Sequence, residues 1–174
     1  MWNLSAGLEK PAEDEEPVNE DPKILHITEA SSVEHLNPLI HDEYFELCQI
    51  GFDADRQIVT IPFRRIFHGV RERIVRRGLF STIYEVDVLR ARLLIKNASA
   101  VKIRDNANLA ICSFNTIWYE SSLDAIKISC CEDCELEIGV TAIDLFYEAL
   151  DYGGTAEIRR WLFGIETSGS RVRE

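Results

Sequence analysis

The sequence holds no apolar run approaching the roughly 20 residues that cross a bilayer as a helix, so no membrane-spanning helix is expected. Its start, Met1-Trp2-Asn3-Leu4-Ser5, lacks the basic cluster and apolar stretch of a secretory signal. Cysteine is scarce and odd in number. There are five, with Cys130 and Cys131 adjacent, which is not the even framework of a disulfide-stapled secreted domain. These absences point to a cytoplasmic protein. The sequons Asn3-Leu4-Ser5 and Asn97-Ala98-Ser99 carry no weight without secretion. Catalytic signatures are missing too: no G-x-x-x-x-G-K-[ST], G-x-G-x-x-G, H-E-x-x-H or G-x-S-x-G. An enzyme would need a site assembled from distant residues, and no cofactor is expected.

What is abundant is acid. The 174 residues carry 30 Asp and Glu against 19 Lys and Arg, a net charge of −11. Residues 1–43 hold eleven acids against Lys10 and Lys23, a net of −9. Residues 64–92 reverse the sign, with eight arginines against Glu72, Glu85 and Asp87, a net of +5. The total disfavours a nucleic-acid binder working over its whole surface, because phosphates repel it; a local basic patch remains compatible with it. Residues 1–23, with three prolines and seven acids, bury too little to offset the entropy of ordering and read as a disordered acidic tail. One mainly-β domain is expected over 24–166, with a frayed C-terminus over 167–174.

The β assignment rests on alternation. Ile83-Tyr84-Glu85-Val86-Asp87-Val88 places two acids on one face and Tyr84, Val86 and Val88 on the other, the two-residue period of a half-buried strand. That period slips at Val88-Leu89, after which Leu89, Ala91, Leu93 and Ile95 share a side, so a β-bulge near Leu89 is expected. Strands are read at 43–52, 57–63, 82–96, 101–103, 109–113, 116–119, 125–131 and 135–140, with polar turns between them. Pro62 removes a ladder donor and suggests that its strand lies at an edge or ends there. The expected architecture is an antiparallel β-sandwich or barrel of about seven strands with one or two short helices. Ser31 and Glu34 match a capping box for a helix near 32–40. Phe67, Val70 and Ile74 suggest a helix over 64–80, ended by Gly78. Residues 141–150 fit helix or strand, with helix preferred.

Three groups of residues invite a functional reading. Arg64, Arg65, Arg71, Arg73, Arg76 and Arg77 would offer forked donors to phosphate or carboxylate; the plain alternatives are a solvated face or a clamp for the acidic tail. Cys131 and Cys134 form a C-x-x-C that could grip metal. Glu132 and Asp133 beside them oppose thiolate formation, and the expectation is a hairpin turn with the cysteines as small strand residues. His35, His41, Asp42 and Glu43 combine metal-ligand types at a spacing that matches no template. Phe114, Trp118 and Tyr119 suit stacking or partner contact, with a core role preferred. The function expected is a non-enzymatic intracellular binding module for a protein partner, able to self-associate through an exposed edge strand. Two alternatives are an acidic inhibitor or immunity-type protein that masks a basic partner, and a nucleic-acid or anionic-ligand binder acting through the arginines.

Overall fold

The computed structural model describes residues 22–66, 73–106, 108–161 and 166–168. Strand β1 (Ile24–Ile27) leads into a 3-10 segment, Ala30–Leu36, and helix α1 (Asn37–Ile40). Then come β2 (Tyr44–Glu46), a 3-10 turn at Leu47–Gln49, β3 (Gly51–Asp53), β4 (Ile58–Ile66) and β5 (Arg73–Arg77). The remainder is β6 (Ser81–Ile95), β7 (Ala98–Asp105), β8 (Ile111–Glu120), β9 (Ala125–Cys130), β10 (Cys134–Val140), β11 (Leu145–Trp161) and β12 (Glu166–Ser168). The strands form one antiparallel sheet in the order β1-β11-β6-β4-β2-β8-β9-β10-β7, with β3 on β4, β5 on β6 and β12 on β11. The mainly-β antiparallel architecture is as expected. The sheet has twelve described strands rather than about seven, and it stays open rather than closing into a barrel.

The extra strands come from segments that the periodicity misassigned. Residues 64–66 extend β4 along β6, and 73–77 form β5, so the helix expected over 64–80 is absent from the described part of that segment. The cause is the length of β6: β4 pairs with residues 88–95, and the edge that remains at 82–85 takes β5. Residues 145–150 belong to β11, where Leu145 and Tyr147 are buried opposite Ile95 and Leu93. A strand edge in need of a partner overrode the weak helical spacing there. The strand expected over 43–52 splits into β2 and β3 around the 3-10 turn. Pro62 is not at an outer edge. It pairs with Arg92 on one side, and on the other it falls between the stretches of β4 that pair with β3 and β2. Ser31 makes no capping bond, since the 3-10 segment starts at Ala30 with Glu29 as its cap. Residues 166–168, expected at the edge of a frayed end, pair with β11; 1–21 and 169–174, which hold the rest of both expected tails, lie outside the described residues.

The main core joins Val59, Ile61 and Phe63 of β4, Ala91, Leu93 and Ile95 of β6 and Leu145 and Tyr147 of β11 to Phe114, Ile128 and Leu136 of the β8-β9-β10 half. Val33, Leu36, Leu39 and Ile40 cover it from the short helices. Asn37 fixes that cover to β8, accepting from Ile117 N at 2.7 Å and donating to Ile117 O at 3.3 Å. The slip at Leu89 is not repaired by a bulge in β6, whose register with β4 is continuous from Val88 to Ile95. Instead the buried face switches. Val86 and Val88 pack with Ala156, Ile158 and Ile66 in a separate cluster. By strand alternation that cluster lies on the face opposite Ala91, Leu93 and Ile95. The irregularities sit in the partners of β6: in β11, between Ala149 and Tyr152 and between Tyr152 and Gly154, and in β5, between Ile74 and Arg76.

Gly154 has φ 113°, a conformation that side-chain-bearing residues rarely adopt. Gly154→Ala is expected to lower stability by about 1–3 kcal/mol, read as a drop in urea midpoint at unchanged slope. Gly51→Ala, whose new Cβ meets nothing within 4 Å, should leave the midpoint nearly unchanged.

Candidate functional site

The arginines expected to form one cluster are distributed over β4 and β5. Arg64 and Arg65 are consecutive in β4 and therefore point to opposite faces. Arg64 is exposed opposite Arg90, which is itself paired with Asp151. Arg65 turns toward the core, where Nη1 donates to the Tyr147 hydroxyl at 3.0 Å. Arg71 lies outside the described residues. Arg73 is neutralised by Glu85 at 3.0 Å and Asp87 at 3.4 Å.

Arg76 and Arg77 remain as exposed residues of β5, and the register gives them company. Arg76, Ile83 and Arg159 form one row across β5, β6 and β11, and Arg77, Thr82 and Arg160 form the next, on the opposite face of the sheet and continued by Glu166 of β12. The Arg160 guanidinium lies 4.8 Å from the Tyr84 ring centroid and that of Arg159 5.7 Å from Trp161. Aromatic faces of this kind attract cations.

Apolar groups surround these rows. All five residues of β5 are exposed, Ile74 and Val75 among them, and the hairpin tip carries Leu79 at 81% and Phe80 at 59% exposure. Gly78, Leu79, Ser81, Thr82, Arg160 and Trp161 line a shallow depression of about 240 Å³. β5 pairs with β6 alone, and none of the described residues pairs with its other edge. Sequence reasoning missed Leu79, Phe80 and Trp161. Their signal was adjacency: Leu79-Phe80 follows Gly78 directly and fits neither alternation nor a helical period.

Other charged faces are internally compensated. Glu135 and Glu137 share a face of β10, and Lys127 reaches both at 2.7 Å. Lys102 adds a further bond to Glu137 at 2.7 Å, and these two lysines hold the Glu137 carboxyl down at about 2. The register explains this, since Glu137 stands opposite Lys102 on one side and Lys127 on the other. Of the aromatics in β8, Phe114 is fully buried and packs on Phe45 with ring centroids 4.3 Å apart.

The C-x-x-C pair does not come together. Cys131 is exposed at the turn, its Sγ 3.6 Å from Asp42 Oδ1. Cys134 is buried and meets Cys130 and Cys112 instead; the three Sγ atoms all lie within 4.8 Å of one another. Glu132 and Asp133 do form the expected turn, with Cys134 N donating to Glu132 O at 2.7 Å.

The His35/His41/Asp42/Glu43 group is dispersed as well. His41 pairs with Asp42 at 3.1 Å on the surface, while Glu43 turns inward. Both Glu43 carboxylate oxygens accept from Ile66 N at 3.1 Å. Burial pushes its carboxyl from 4.5 up to about 8, against the opposing pull of the Ile66 amide and Arg65.

No protein-family model matches the chain, and no curated protein or solved structure does.

The Glu43 environment has a definite pH consequence. Folded chain holds a proton on Glu43 between about 4.5 and about 8 that unfolded chain has lost, so this group's contribution to stability falls as pH rises through that window. Glu43→Gln keeps an acceptor for Ile66 N and cannot ionise. Unfolding free energies from denaturant curves measured from pH 4.5 to 8 should fall for the wild type relative to this variant, by more than about 1 kcal/mol over the window.

Proposed function

We propose that the protein is a non-enzymatic interaction module whose working surface is the exposed edge of β5 together with the tip of the β5–β6 hairpin, and that its partner is an acidic protein segment. The observation that carries this reading is the exposure of every residue of β5 beside Leu79 and Phe80. Contiguous exposed apolar side chains rimmed by charge mark interaction sites more often than solvated surface. An unpaired edge can receive an extended segment through main-chain hydrogen bonds, and the side chains that alternate along it set specificity. Arg76 and Arg159 on one face of the ribbon and Arg77 on the other supply forked donors for carboxylates of a segment laid along the edge, and arginine is among the residues enriched at interface hot spots.

Nucleic acid fits this surface less well. Arg73 is already held by Glu85 and Asp87, and the whole chain is acidic at −11. An acidic partner segment would be drawn to this surface in part by charge, an attraction that salt weakens.

The test is affinity capture with the full-length chain, followed by measurement of the purified partner's affinity against paired variants. Arg76→Glu with Arg77→Glu, and separately Leu79→Ser with Phe80→Ser, should each weaken binding at least tenfold, with affinity also falling as salt rises. Arg64→Glu, on another element, should not. Binding indifferent to both paired variants, or captured material that is nucleic acid released by nuclease, overturns the proposal.

A further inference from the structure

The thiol cluster lies on a different part of the molecule and has its own chemistry. Cys112 comes from β8, Cys130 from the last position of β9 and Cys134 from the first position of β10, so the short turn 131–133 folds the second and third against the first. All three are buried, at 0%, 7% and 5% exposure. Their sulfurs converge within 4.8 Å of one another, as free thiols rather than as a disulfide pair with a spare. A cysteine that serves only as a small apolar residue has no reason to aim its sulfur at two others.

We propose that Cys112, Cys130 and Cys134 form a three-coordinate, all-sulfur site for a monovalent soft metal ion, Cu(I). The donor set decides the metal class. Among the described residues the cluster comprises these three groups and no His, Asp or Glu donor, whereas structural zinc is almost always four-coordinate. Thiolate-only surroundings select soft ions, of which Cu(I) is the one among the common metals that needs no fourth ligand here. Coordination moves no electrons: each Cu–S bond forms as the thiol's proton leaves to solvent. Each bond displaces a thiol proton, so affinity should rise with pH. The exposed Cys48 and Cys131 lie outside the site.

The experiment uses the full chain carrying Cys48→Ser and Cys131→Ser, which removes both exposed thiols and keeps the site. Anaerobic titration with Cu(I), buffered by a competing chelator, should give one equivalent bound. Thiolate-to-copper ultraviolet absorption should appear, and X-ray absorption should find a nearest shell of three sulfurs. Adding Cys112→Ala or Cys134→Ala should abolish that equivalent in a chain that circular dichroism shows to be folded. Should those variants unfold, melting curves decide, since a ligand bound only to native protein raises its melting temperature. Saturating Cu(I) should raise the Tm of the double-serine chain by several degrees. No bound equivalent, no rise in Tm, a two-sulfur shell, a folded Cys112→Ala chain that still binds, or zinc held with a fourth non-sulfur ligand would each overturn the assignment.

Discussion

Pairing along β6 is the constraint on which the rest of this structure depends. At fifteen residues it outruns every neighbour except β11, and its backbone groups must find partners along their whole length. β4 satisfies one edge over 88–95, β5 takes over at 82–85, and β11 runs the length of the other edge with two irregularities. Because side chains alternate strictly along a strand, the apolar slip at Val88-Leu89 leaves β6 with two buried faces in succession. One faces the main core through Ala91, Leu93 and Ile95. The other packs the smaller cluster through Val86 and Val88. Residues 81–88 thereby extend past the main core as a ribbon, and the proposed interaction surface is the far end of that ribbon.

Charge follows the same division. Around the main body basic groups meet acids, Arg92 with Glu148 and Lys102 and Lys127 with Glu137 in register, and Arg90 with Asp151 where the β6–β11 register is interrupted. Exposed pairs of this kind contribute little to stability, but they leave little uncompensated charge for a partner. At the ribbon end Arg76 shares its row with Ile83, Arg159 and Thr167, a row without an acid, while the row of Arg77, Thr82 and Arg160 ends at Glu166 of β12. Basic and apolar groups coincide there, and that coincidence distinguishes this end from the compensated faces.

Polar chemistry inside the fold is concentrated where β2, β8 and the β9–β10 turn meet. Glu43 is buried beneath the Ile66 amide, and Ser113 donates from both N and Oγ to Glu132, at 2.9 and 3.0 Å. Buried groups of this kind are costly unless paired, and here the buried side-chain nitrogen and oxygen atoms of the described residues all have partners. The three thiols occupy the same region, and the turn that carries Glu132 also brings Cys130 against Cys134.

Alternation in the sequence was enough to identify an antiparallel β protein, to place β6, β9 and β10 within a residue or two, to locate the 132–133 turn and to assign Phe114 to the core. Those features are local: a strand with one buried face writes its period into the chain, and a tight turn writes its residue types. In the described parts of 64–80 and 141–150 the expected helices gave way to strand for one reason, since a strand edge elsewhere in the molecule needed pairing and short apolar spacings did not resist it. The arginines looked like one cluster because they are close in sequence, yet β4 and β5 divide them. Cys131 and Cys134 looked like a pair for the same reason, yet alternation and the turn turned Cys131 outward and set Cys134 against Cys112, 22 positions away in sequence. Local periodicity therefore determined the class of fold, because backbone pleat acts on neighbours. Which residues share a site was decided by strand register, which joins positions that no local pattern connects.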